Sequence, residues 1–262
     1  MTGWRALVVA LLLAPVPALG ASSLPAAALA GLGFDQHPGA ALPRDAVLRD
    51  EAGAPLRFGA LVGARPLVLV FDYFRCTTLC GLVLGDLAAT LAEVPLDPGR
   101  DYGVVAVSID PTETPADAAR LKARHFASDR RFAAAARFLT GDAAEVGRLA
   151  DAVGFRYRYD PALGQYAHPA GLVLVTPQGT IARYLPGVAY APLDLRLGLV
   201  EASRGTIASP SAHLLLLCYG YDPAQGRYSA LVGRLMQLVG LASMTVVGLV
   251  VLRATRRPPG PR

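Results

Sequence analysis

Pro66-Leu-Val-Leu-Val-Phe71, then Asp72-Tyr-Phe-Arg75, then Cys76-Thr-Thr-Leu-Cys80 is the most informative run in the chain. Its first six residues are continuously apolar and partly β-branched. That pattern predicts a strand buried on both faces, in a sheet with helices on either side. Leu84, Leu87 and Leu91 follow the cysteines at helical spacing, so the pair sits at a strand-to-helix junction. Residues four apart share one face of a helix. Near a helix N-terminus, the macrodipole and free N–H groups favour thiolate. Thiolate binds metal or attacks a disulfide; the plainer alternative is two buried structural cysteines.

Further along, Tyr102 to Ile109 reads as a second buried strand ended by Asp110-Pro111. Thr114-Pro115 fits an N-cap and first helical position, opening a helix to about Phe126. Arg137 to Thr140 predicts a third strand, Ala143 to Val153 a helix, and Phe155 to Tyr159 an alternating strand exposed on one face. Ala170–Thr176 and Thr180–Tyr184, joined by Pro177-Gln-Gly179, predict a hairpin, and Leu193 to Ala202 a last helix. Strands alternating with helices indicate an α/β layer architecture. With a cysteine pair at the first junction and a closing hairpin and helix, the pattern points to a thioredoxin-like fold.

Of the 262 residues, 53% are hydrophobic, and part of that excess lies at the two ends. A basic start at Arg5, an apolar core from Ala6 to Val16 and small residues at Ala18, Gly20 and Ala21 describe a secretory signal peptide. Leu235 to Leu252 is apolar apart from Gln237, Ser243 and Thr245, and Arg253, Arg256 and Arg257 follow it. That predicts a transmembrane helix with a cytoplasmic tail. The net charge of +5 comes from scattered arginines without aromatic interleaving, so nucleic-acid binding is not expected. The expected organisation is a signal peptide at 1–21 and an N-terminal extension at 22–65. A thioredoxin-like domain follows at 66–205, a juxtamembrane segment at 206–234, a transmembrane helix at 235–252 and a tail at 253–262.

Two thiolates leave a copper site incomplete, and an imidazole would let both Cu(I) and Cu(II) bind. Among the four histidines, His168 in Gln165-Tyr-Ala-His-Pro169 precedes a predicted strand whose loop should lie beside the cysteine turn. On position alone it is either a ligand or an ordinary loop histidine. His125 falls late in a predicted helix, where a cation would complement the C-terminal dipole. His37 and His213 have no evident link to the pair.

At these residues the chain resembles the Sco/SenC family of copper-binding proteins for cytochrome c oxidase assembly. The resemblance rests on Phe71-Asp-Tyr-Phe-Arg-Cys-Thr-Thr-Leu-Cys80, Val107-Ser-Ile-Asp-Pro-Thr-Glu-Thr-Pro115, Phe138-Leu-Thr-Gly141 and His168 before a strand. It is most similar to a bacterial membrane-anchored branch, through Leu82-Val-Leu84 and Cys218-Tyr-Gly-Tyr-Asp-Pro223. The resemblance implies that Cys76, Cys80 and His168 are the copper ligands. It also implies that the partner is the copper-binding subunit of the oxidase, and that the domain faces the periplasm from the cytoplasmic membrane. Thr77 stands where the family commonly carries proline, and Gly220 where this branch often carries histidine. The main rival is a thiol–disulfide reductase using Cys76 and Cys80 as a redox pair to keep the oxidase's own ligand cysteines reduced. A peroxide-reducing enzyme, with Arg75 beside Cys76, and an anchored interaction domain with an idle disulfide are weaker rivals. Cys218, in apolar surroundings, is expected to be neither a ligand nor a partner of Cys76 or Cys80.

Overall fold

A computed structural model describes residues 31–76, 80–127, 129–161, 164–207, 221–222, 227–228 and 230–255. The signal-peptide stretch, Thr77, His213, Cys218 and Gly220 lie outside the described residues, as do most of the juxtamembrane segment and of the tail.

The centre is a five-stranded sheet. Its strands in chain order are β4 (Leu67–Asp72), β5 (Gly103–Ser108), β6 (Ala136–Leu139), β10 (Gly171–Val175) and β11 (Ile181–Pro186). Their spatial order is β11-β10-β4-β5-β6. β4, β5 and β6 are parallel, while β10 runs antiparallel to β4 and to β11. Every residue of β4 and β5 is buried, as continuous apolar runs covered on both sides require.

Alternation along β4 divides the core. Val68 and Val70 face α1 (Cys80–Glu93), α2 (Pro115–Phe126) and α5 (Pro192–Ser203), through Leu84, Leu87, Leu121, Leu195 and Leu199. Leu67, Leu69 and Phe71 face α4 (Ala143–Val153) through Val146, Leu149 and Val153. The expected mixed α/β, thioredoxin-like arrangement is therefore present. The N-terminal extension belongs to this second face. β1 (Gly33–Phe34) pairs with β7 (Phe155–Arg156), β2 (Val47–Arg49) and β3 (Pro55–Arg57) form a hairpin, and Leu42, Ala46, Leu48 and Phe58 enter the core.

The local signals have their expected outcomes at the caps. Thr114 accepts from the Asp117 N–H while Asp117 accepts from the Thr114 N–H, a full capping box with proline next in line. Asp142 caps α4, which ends at Gly154 in the left-handed conformation (φ +66°).

Two details differ from expectation. A short helix, α3 (Arg130–Ala135), precedes β6; the weight of alanine in this sequence hid it. The single strand expected over Phe155–Tyr159 is split. Phe155–Arg156 pairs with β1, while β8 (Arg158–Asp160) pairs with β9 (Gln165–Ala167).

After a small pairing of β12 (Tyr221–Asp222) with β13 (Arg227–Tyr228), the described chain ends in α6, Ala230–Thr255. Among the described residues no helix is long and apolar enough to cross a membrane.

Candidate metal centre

The C-terminal end of β4 continues as Asp72, Tyr73, Phe74 and Arg75 into Cys76, and α1 begins at Cys80. The turn closes with the Cys76 N–H donating to the Tyr73 carbonyl at 3.1 Å. Cys76 is half-buried and disulfide-bonded. The side chain of Cys80 lies outside those described.

A buried carboxylate holds this turn in place. Glu113 accepts from the Phe74 N–H at 3.0 Å, the Arg75 N–H at 2.5 Å and the Ser108 hydroxyl at 2.5 Å. Burial pushes its pKa up, while these hydrogen bonds pull it back. The Arg75 guanidinium pairs with Asp110 at 2.6 Å and reaches Thr112. Burial raises the Asp110 pKa, but hydrogen bonds from Thr112 and Arg75 outweigh it and the net shift is downward. Ser108, Asp110 and Glu113 all lie in the motif that ends β5 and continues beyond it. The motif's role in this structure is to brace the cysteine turn.

The antiparallel register of β10 against β4 brings the loop before β10 to the same sheet end. Tyr166 meets Tyr73 with ring centroids 5.8 Å apart. His168 stacks obliquely near Phe155, at 6.1 Å, and its Nε2 lies 4.0 Å from Asp72 Oδ1. The His168 side chain is 8% exposed and that of Asp72 1%. His168 Nδ1 lies 3.0 Å from the Pro169 carbonyl oxygen. A carbonyl only accepts, so this contact calls for a proton on Nδ1; in the neutral ring Nε2 then carries the lone pair. Burial pushes the His168 pKa down and the Asp72 pKa well up. Asp72 Oδ1 accepts from the Tyr73 N–H at 2.8 Å, while Oδ2 is buried without a hydrogen-bond partner. Asp72 is the site residue that sequence reasoning missed. The signal was present: an aspartate continues an apolar strand whose neighbours are all buried.

The other histidines lie elsewhere. His37 lies in the extension, and its N–H donates to the Tyr184 hydroxyl of β11. His125 does fall in the last turn of α2, but its ring lies beside Gly81 and Gly85 of α1. Burial, with Arg124 nearby, pushes its pKa down, so it does not act as the cationic cap expected. Among the described residues no group of three or more His, Cys, Asp and Glu is arranged to hold a metal ion.

The fold and this site together define a thioredoxin-like protein carrying a cysteine pair at its first strand–helix junction. A family model described as SCO1/SenC matches residues 38–193, and the chain belongs to that family. No curated protein matches the chain. A protein from Aquifex aeolicus, proposed to transfer electrons, matches at 25% identity and a TM-score of 0.58, over 65% of this chain and 96% of its own. A SCO1/SenC family lipoprotein from Bacillus anthracis matches at 15% identity and a TM-score of 0.51, over 66% of this chain and 96% of its own. Arabidopsis thaliana ScoI with copper bound matches at 20% identity and a TM-score of 0.50, over 64% and 98%. The last two likenesses are of fold.

Proposed function

We propose that this protein is a copper metallochaperone for the copper centre of cytochrome c oxidase, with Cys76, Cys80 and His168 as its ligands. The observation that carries the reading is that the Cys76 turn and the buried His168 lie at the same end of the sheet, His168 Nδ1 being engaged by the Pro169 carbonyl. Soft thiolates select copper over harder cations, and an imidazole accommodates both oxidation states. Membership of the SCO1/SenC family supports the same chemistry. Copper is the cargo; it passes by ligand exchange to the oxidase's copper-binding subunit.

The thiol–disulfide reductase remains a second reading because Cys76 is disulfide-bonded. We assign Cys80 as its partner and leave Cys218 outside the site. A signal peptide at 1–21 exports the domain to the periplasm, and a C-terminal anchor at 235–252 holds it at the membrane. The anchor is supported by α6, whose backbone helix includes all of that stretch.

Metal analysis of the reduced protein tests the reading. It should bind one copper per chain, and Cys76→Ser or Cys80→Ser should abolish binding. His168→Ala should lose copper but retain thiol–disulfide exchange. Full copper stoichiometry in either serine variant would move the site elsewhere. Peptide mapping of the non-reduced protein should find Cys76 joined to Cys80; Cys218 in that bond would defeat the assignment.

A further inference from the structure

At the end of the sheet opposite the cysteine turn lies a cavity of about 350 Å³. The segment before β4, the loop between α1 and β5, and the C-terminal half of α5 line it. Sites for small organic ligands span roughly 300–1,000 Å³ and are mostly apolar, with a few placed polar groups. This lining has that composition. Leu96, Leu199 and Val200 supply apolar surface, while Arg65, Arg100 and Asp101 supply charge.

The two arginines are not equivalent. Arg100 is already neutralised, with Asp97 2.6 Å and Asp101 2.9 Å from its guanidinium. Among the described residues Arg65 has no carboxylate or carbonyl partner, and its Nε is buried without a hydrogen bond. Its side chain passes close to Gly103 at the start of β5, where a β-carbon would stand 3.4 Å from Nε. Glycine in a strand permits such a close approach. The C-terminal end of α5 attracts a cation, but that attraction leaves the Arg65 Nε–H unpaired. A buried donor without an acceptor bears the whole cost of its lost hydration. An acceptor from outside the chain removes that cost, and carboxylate and phosphate both match the guanidinium fork. The charge of the lining also suits an anion. Two guanidinium groups stand against one carboxylate, and Arg100 holds that carboxylate.

We propose that this cavity binds a small amphiphilic anion, with its carboxylate or phosphate on Arg65 and its apolar chain against Leu96, Leu199 and Val200. The site is separate from the cysteine turn and does not depend on the metallochaperone reading. A free organic acid and the headgroup end of a lipid share the required chemistry. Inorganic phosphate lacks the apolar part and should bind more weakly than either.

The test is calorimetric titration of the full-length protein in a non-ionic detergent, corrected by titrating the detergent alone. The probes are hexanoate, dihexanoylphosphatidylglycerol, inorganic phosphate and the neutral hexanamide. Hexanoate or dihexanoylphosphatidylglycerol should bind saturably, one molecule per chain, and the tighter of the two names the source as free acid or lipid. Hexanamide should bind at least about tenfold more weakly than hexanoate, the scale of a lost charge-assisted hydrogen bond. Arg65→Gln should lose about as much, Arg65→Lys less, and Arg204→Gln, outside the lining, should match wild type. Three results would overturn the proposal: no saturable binding of either anion, hexanamide binding as tightly as hexanoate, or full affinity in a folded Arg65→Gln protein. Inorganic phosphate binding as tightly as the amphiphiles would overturn the apolar half of the assignment. The comparison of hexanoate with hexanamide needs only wild type, so it decides the matter even where a variant fails to fold.

Discussion

At the scale of single residues, the site depends on buried polar groups whose partners come from distant parts of the chain. Glu113 binds two backbone N–H groups and a hydroxyl, and all three partners lie in the cysteine turn or at the end of β5. Glu113→Gln keeps the shape but turns a donor toward donors. It should cost about 1–3 kcal/mol in denaturant unfolding, the range for an unsatisfied buried group. An unchanged midpoint would show that the turn is held by packing alone. His125 gives a pH signature. Its folded pKa is depressed by burial, with Arg124 adding to the effect, so the native state refuses a proton that the unfolded chain accepts below about pH 6.5. Its contribution to stability is thus present above that pH and declines as pH falls toward the folded value. The stability advantage of wild type over His125→Gln should therefore be smaller at pH 5.5 than at pH 7.5. A constant or growing advantage would contradict a buried neutral imidazole.

At the scale of elements, the strands buried on both faces and the capped helices were legible from sequence because each announces itself locally. β4 and β5 are continuous apolar runs, and α2 begins with a threonine, a proline and a reciprocal carboxylate. The placement of the cysteine pair and of His168 at element ends was legible too, while their role as ligands is the proposal made above. What stayed hidden depends on pairing over long sequence distances. Nothing near Phe155 tells that it pairs with Phe34 of the extension, and that pairing divides the expected strand. Asp72 was passed over for the same reason: its facing residue, His168, is far along the chain. The junction between extension and domain yields a further prediction. Gly154 ends α4 at φ +66°, and its carbonyl accepts the Asp35 N–H at 2.7 Å. A β-carbon there would stand 1.8 Å from the Asp35 carbonyl oxygen. Gly154→Ala combines an unfavourable backbone conformation with that collision. It should cost more than the roughly 1 kcal/mol that a left-handed alanine costs alone. Thermal unfolding measures this, and a shift below 1 °C would mean that the extension moves aside freely.

At the scale of the whole molecule, the arrangement expected is a compact domain carried outside the membrane by its own C-terminus. The 26 residues of α6 take in the stretch from Leu235 to Leu252, and Leu238, Val239, Leu241, Met244, Val246, Val247, Leu249 and Val250 are all exposed. A helix with apolar residues on every side needs a large protein core or lipid around it. At 1.5 Å per residue, the 26 residues of α6 extend about 39 Å. Arg253 lies in the last turn, and Arg256 and Arg257 follow it in sequence. Under the anchor proposed above, arginine beside the span stays on the cytoplasmic side, and the chain before α6 lies on the other. That orientation agrees with the export signal read at the N-terminus and with a cargo site built on thiols outside the cytoplasm. Reporter fusions check it directly. A fusion after Arg257 should be active only as a cytoplasmic reporter, and one near Ser203 only as an exported one. Replacing Arg253, Arg256 and Arg257 together with Asn should weaken that bias. An exported signal from the Arg257 fusion in the wild-type chain would invert the topology and remove the site from the compartment proposed for it.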